Sequence, residues 1–213
     1  NHRYLLGMSL DVTNHIRTSE QFKSIDRQSE LFNTILQIMQ SEHDYKTAVG
    51  KMLEMIGMAW NADQGFVYRR GNGAFFREDG WTSDGIQSLD YYPDTEMPAV
   101  LKLFLDNQTL IIEDMLKLPV GLEDSMETLL AEKVKSLIFV PLFLNGVLYG
   151  QIGFMWRRDN HIISKAGEHF LREIGGLFLI AKEHERQREV IHEQSVLQSM
   201  IFDKVPVPLS LLD

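Results

Sequence analysis

Residues 136–156, Ser-Leu-Ile-Phe-Val-Pro-Leu-Phe-Leu-Asn-Gly-Val-Leu-Tyr-Gly-Gln-Ile-Gly-Phe-Met-Trp, constrain this chain most. Two apolar runs, rich in β-branched and aromatic residues, flank the dipeptide Asn145-Gly146. Both central residues of a type I′ turn need φ > 0, which Asn-Gly tolerates best, so the stretch reads as a tight β-hairpin. Neither strand alternates cleanly between apolar and polar residues, so both of its faces are expected to be covered. A hairpin of that kind belongs in the middle of a sheet. Helices should lie on one side, and what fills the other side becomes the functional question.

The rest of the chain supplies those layers. Apolar residues recur at helical spacing from Asn14 to about Gln40, and the early part of that stretch is mostly polar. It is either a solvated helix or a two-stranded coiled-coil seam, and its narrow apolar stripe favours the seam. Ser41-Glu-His-Asp44 breaks the pattern, and Asp44 is placed to cap a second helix running from Tyr45 to about Asn61. Gly50 and Gly57 lie inside that helix, which suggests close packing against another helix. Residues 65–70 and 74–77 read as strands joined by the turn Gly71-Asn72-Gly73, with Trp81 just beyond. Residues 90–98 are loop-like, because Pro93 and Pro98 bar a regular ladder. A short helix over 99–105, a short strand over 109–113 and a helix over 123–132 precede the hairpin. Ser164 then caps a last helix, which turns very polar over 182–194 and regains apolar residues at Val196, Leu197, Met200 and Ile201. This order predicts an α+β domain with an antiparallel sheet of about five to six strands. The long first and last helices should cover one face, and segment 82–135 the other.

Composition narrows the function. The net charge of −9 opposes nucleic acid and anionic membranes, both of which call for a basic surface. The longest apolar run, residues 137–144, is far short of the ~20 residues of a membrane helix, so a cytoplasmic protein is expected. There is no cysteine, which excludes disulfides, thiolate metal sites, cysteine nucleophiles and thioether-linked chromophores. None of the seven histidines falls in 82–135, where a haem ligand on the distal face would be expected, and no pair has metal-ligand spacing with a third partner. Glu113-Asp114 is a carboxylate pair at a strand end, a cation or amine site if not simply solvated. No serine has a histidine–acid grouping near it in sequence. No catalytic residue, cofactor or metal is therefore expected. Aromatic residues are the most suggestive candidates. A pocket between sheet and middle segment would be lined by Tyr68, Phe76, Trp81, Tyr92, Phe104, Phe139 and Phe154, with Tyr68, Trp81, Tyr92 and Glu113 as its polar anchors.

The chain resembles the GAF family of small sensory domains. The resemblance rests on the hairpin with its opening Ser136, Pro141, the Asn-Gly turn, Gly150 and Gly153. It also rests on the helix leading to Asn61-Ala-Asp63 and on the helix after Ser164. It implies a GAF domain over residues 41–183 with a pocket on one sheet face. Leu6-Gly-Met-Ser-Leu-Asp-Val-Thr13 resembles the last strand of a PAS domain, entering a signalling helix over 14–40. After an exit helix over 184–200, residues 201–213 resemble the start of another PAS domain. Such a string is similar to the sensory half of bacterial histidine kinases, less often of diguanylate cyclases, and implies a piece of a longer protein. It implies a relay module that dimerises through its two long helices and neighbours PAS and kinase domains. Cyclic-nucleotide GAF domains carry an Asn-Lys…Phe…Asp-Glu pattern, and here only Glu168 remains of it. The Asp-Ile-Pro motif of bilin-binding members is missing.

Overall fold

The hairpin forms as its turn chemistry dictates. In this computed structural model, Asn145 (φ 53°) and Gly146 (φ 77°) join β5 (Ser136–Leu144) to β6 (Val147–Trp156). The structure describes residues 27–42, 44–83 and 89–204, with backbone alone over 197–204. The PAS-like segment 1–13, residues 14–26 of the entering helix and residues 205–213 lie outside the described residues.

β5 and β6 lie in a six-stranded antiparallel sheet of order β3-β2-β1-β6-β5-β4. The other strands are β1 (Gln64–Gly71), β2 (Ala74–Thr82), β3 (Tyr91–Pro93) and β4 (Leu110–Ile112). The expected loop at 90–98 thus contains a strand. It is only three residues long and lies at the sheet edge, where the missing N–H of Pro93 costs no ladder bond. Pro141 is tolerated inside β5 for a similar reason, since β4 ends opposite Phe139 and leaves that margin of β5 free.

One face carries α1 (residues 27–41), α2 (Tyr45–Ala59) and α5 (Lys165–Lys204). Ile35, Leu53, Ile56, Leu171, Ile174 and Phe178 pack there on Val67, Ile138, Val140, Ile152 and Phe154. The other face carries a 3₁₀ turn (Asp94–Glu96), α3 (Pro98–Leu105) and α4 (Glu123–Ala131). Met97, Val100, Phe104, Met126 and Leu129 pack there on Phe66, Tyr68, Phe75, Leu137 and Phe139. The sheet is therefore sandwiched, as a hairpin apolar on both faces requires. Asp44 caps α2 by accepting from the Thr47 N–H at 2.8 Å, and Ser164 caps α5 by accepting from the Gly167 N–H at 3.1 Å.

Gly57 does not serve a helix–helix contact as expected. A Cβ there would fall 2.2 Å from the Trp81 ring of β2, and one at Gly50 would meet nothing within 4 Å. α5 runs unbroken for 40 residues, first along the sheet and then beyond it, with Ile180 60% and Ile191 65% exposed.

Candidate functional site

The eight aromatic and acidic candidates separate into three environments. Tyr68, Tyr92, Phe104 and Phe139 come together between the sheet and the middle segment, all within 4% of full burial. Their rings pack edge-on or tilted: Phe66 on Tyr68 at 4.9 Å, Phe66 on Phe139 at 5.3 Å, Tyr68 on Tyr92 at 5.3 Å, Phe75 on Phe104 at 6.1 Å. The Tyr68 hydroxyl donates to the Leu89 carbonyl at 2.5 Å. Burial pushes the phenols of Tyr68 and Tyr92 above their ordinary range, so both remain neutral donors.

Phe154 and Trp81 lie on the opposite face, under the helices. Phe154 packs edge-on against Trp60 at 5.3 Å, and Trp81 covers Gly57. Phe76 points outward and stacks on the exposed Tyr91 at 6.2 Å. Glu113 is solvent-exposed, and its neighbour Asp114 is engaged locally by the Leu116 N–H and Lys117. Neither Trp81 nor Glu113 reaches the aromatic face as an anchor.

The polar residue that does reach it is Gln151, which sequence reasoning missed. Gln151 is 1% exposed and lies two residues from Gly153 and four from Met155, on the face those residues share. Its cross-strand neighbours are Tyr68 on β1 and Pro141 on β5. Among the described residues its buried side-chain oxygen meets no hydrogen-bond donor. The visible signal was a lone amide inside an otherwise apolar strand.

The helix face holds a second polar group, built from two β-bulges. Glu78 is the extra residue of β2 where the β1–β2 register slips between Val67 and Tyr68. Tyr149 is the extra residue of β6 where the β5–β6 register slips between Leu142 and Phe143. A bulge re-aims the side chain it inserts. Here both inserted side chains turn toward α5, and the Tyr149 hydroxyl donates to Glu78. Lys182 of α5 completes the group, with its ammonium 3.1 Å from Glu78, 2.9 Å from Glu185 and 4.7 Å above the Tyr45 ring. Burial opposes the charge on Lys182, but the two carboxylates outweigh it and hold the ammonium above its ordinary pKa. Beyond this point α5 leaves the sheet. Cavities of about 420 Å³ and 390 Å³ flank its contact with α1, the first also bordered by α2.

A third network closes the far end of the sheet. The Asp63 carboxylate accepts from the backbone N–H groups of Arg157 at 2.7 Å and Arg158 at 3.1 Å, and from the Arg158 guanidinium. Burial alone would raise its pKa; these donors reverse that and hold it below the ordinary carboxylate range. Arg157 reaches Gln64 at 2.8 Å and Glu132 at 2.7 Å, tying α4 to the sheet. Among the described residues no group of three or more His, Asp or Glu is arranged to hold a metal ion, and no helix is long and apolar enough to cross a membrane.

No family model matches the chain, and no curated protein does. Solved structures do. A bacteriophytochrome from the photosynthetic bacterium R. palustris superposes with a TM-score of 0.72 at 14% identity over 84% of this chain. This chain spans 41% of that protein's length. The phycoerythrobilin-bound GAF domain of a cyanobacterial phytochrome gives 0.64 at 15% identity, covering 76% of this chain and 97% of that one. Free methionine-R-sulfoxide reductase from Neisseria meningitidis, in complex with its substrate, gives 0.61 at 15% identity over 76% of this chain and 91% of its own. The shared feature is the fold, an α+β domain with the antiparallel sheet of GAF domains.

Proposed function

We propose that this chain is a non-catalytic sensory relay module, dimeric through its long helices, from a bacterial sensor histidine kinase with PAS domains on either side. One observation carries the reading. α5 is tied to the sheet at Lys182 by the two bulge residues Glu78 and Tyr149, and around and past that tie Ile180, Val190 and Ile191 are exposed among the described residues. Leu177, Ile180 and Ile191 fall on one heptad seam with His184 and Gln187 between them. Such a seam is marginal alone and orders against a second copy. A change in the sheet that moves either bulge then alters how two exit helices pack, which is a population shift and needs no chemistry.

Sedimentation equilibrium tests this. The chain is expected to be a dimer, and Ile180→Glu with Ile191→Glu is expected to make it monomeric without loss of helical content at 165–178. A native chain that stays monomeric at high concentration overturns the reading. A second reading, a small-molecule sensor controlling a diguanylate cyclase or another output domain, is favoured by the buried oxygen of Gln151 on the aromatic face, which meets no donor among the described residues.

A further inference from the structure

We infer that α5 carries a proton-sensitive joint: the exit helices of two copies close on each other while His184 is neutral and part when it is protonated. The inference rests on the dimer proposed above and names what controls it. His184 lies two residues past the Lys182 tie and is exposed in the single chain. It stands seven residues after Leu177 and seven before Ile191, so all three occupy the same heptad position of the seam. In a parallel two-stranded seam the residue at that position meets its own counterpart across the two-fold axis. A leucine there would close the seam more firmly, whereas a polar residue at such a position weakens it and makes it conditional. Histidine is the side chain whose charge ordinarily changes between about pH 5 and 8.

The surroundings fix the sign. His184 borders the cavity of about 420 Å³ where α1, α2 and α5 meet. From α1 that border receives Met39 and Gln40, which carry no charge. Four nearby carboxylates are engaged elsewhere. Glu42 is held by Lys51, and Asp44 accepts from the Thr47 N–H at 2.8 Å. Glu183 is 2.7 Å from Arg186, and Glu185 is 2.9 Å from Lys182. Burial pushes the Tyr45 phenol of α2 above its ordinary range, so it stays neutral. Glu189 lies five residues along α5, about 140° round the helix from His184. Arg188 lies four residues along, on the same face. A proton on His184 therefore sets a cation beside Arg188 and opposite a second imidazolium, in a seam that excludes water. The dimer holds the neutral ring and the separated chains bind the proton more readily, so the dimer weakens as pH falls.

Sedimentation equilibrium of the full chain at about pH 7.5 and about pH 5.5, with circular dichroism at both, tests this. The lower value is about one unit below the ~6.5 at which a free imidazole is half-charged, so holding one ring neutral costs a factor of about ten and holding two about a hundred. The dimer dissociation constant of the native chain is therefore expected to rise about ten- to a hundredfold on acidification, with helical content unchanged. His184→Leu should dimerise at least as tightly as the native chain and respond to acid by less than about threefold, which separates His184 from His43, His169 and His192. His184→Lys should dimerise weakly at both pH values. A native dimer equally tight at both pH values, one tightened by acid, or an equal loss in His184→Leu overturns this inference and leaves the relay reading standing. A native chain monomeric at both pH values overturns the two together.

Discussion

Replacing Asp63 by alanine should be among the most damaging single changes in the domain. Its carboxylate is 1% exposed and accepts two backbone N–H groups, from Arg157 and Arg158, where β6 ends beside the start of β1. Alanine would leave both amides without an acceptor, at about 1–3 kcal/mol each. The Arg158 guanidinium is 65% exposed and regains water, so its loss adds less than about 1 kcal/mol. The sum is about 2–7 kcal/mol, a large part of the ~5–15 kcal/mol that holds a domain of this size. Asparagine keeps the shape and one acceptor oxygen and should cost about 1–3 kcal/mol. Urea unfolding reads both as a lower midpoint at unchanged slope. The acid dependence gives an independent test. The folded-state pKa of Asp63 lies below the ordinary ~3.9, so its contribution is complete above that value and is lost as pH falls through the folded pKa. The gap between native and Asp63→Asn should hold from neutral pH to about 5 and close below about 4. A loss under about 1 kcal/mol for Asp63→Ala, or a gap that persists unchanged to pH 3, would refute the argument.

Two further predictions follow from contacts that the sequence does not reveal. Gly50→Ala should stabilise α2 by about 0.5–1 kcal/mol, because its Cβ meets open space, whereas Gly57→Ala should cost about 2 kcal/mol or more by driving a methyl into the Trp81 ring; thermal melts that move in the same direction would contradict one of the two. Lys182→Met should leave the melting temperature within a few degrees, since the ammonium is about one-third exposed, but raise hydrogen exchange over 185–196 roughly fivefold relative to 165–178. Unchanged protection in the distal helix would show that the bulge residues do not hold α5.

What the sequence made legible was whatever depends on local pattern and turn chemistry. The Asn-Gly turn, the Asp44 and Ser164 caps and the helical periodicities placed every major element close to where it stands. Contacts between distant segments left no local trace. Asp63 and Arg158 are far apart in sequence, and Arg157-Arg158 reads on its own as a polar turn. The strand at 91–93 was hidden by its prolines, which an edge position accommodates.

The displacement of Phe154 has a single cause, and it bears on function. An unbroken register from the Asn145-Gly146 turn would pair Leu137 with Phe154 and Phe139 with Ile152. Phe154 would then share a face with Phe139. The observed register pairs Ile138 with Phe154 and Phe139 with Gly153, because Tyr149 is an extra residue. One inserted residue moves the rest of β6 to the other face. It sends Phe154 under the helices, leaves the small Gly153 beside the Phe66 and Phe139 rings, and points Gln151 into the aromatic layer. The same insertion aims Tyr149 at Glu78 and Lys182. Deleting Tyr149 would therefore do more than remove a hydrogen bond. It would close the bulge with the other β5–β6 pairs kept, Gln151 still opposite Pro141 and Phe154 opposite Ile138, and it would release α5. The residue whose insertion sets the register of β6 is also the one that, through Glu78, grips the exit helix.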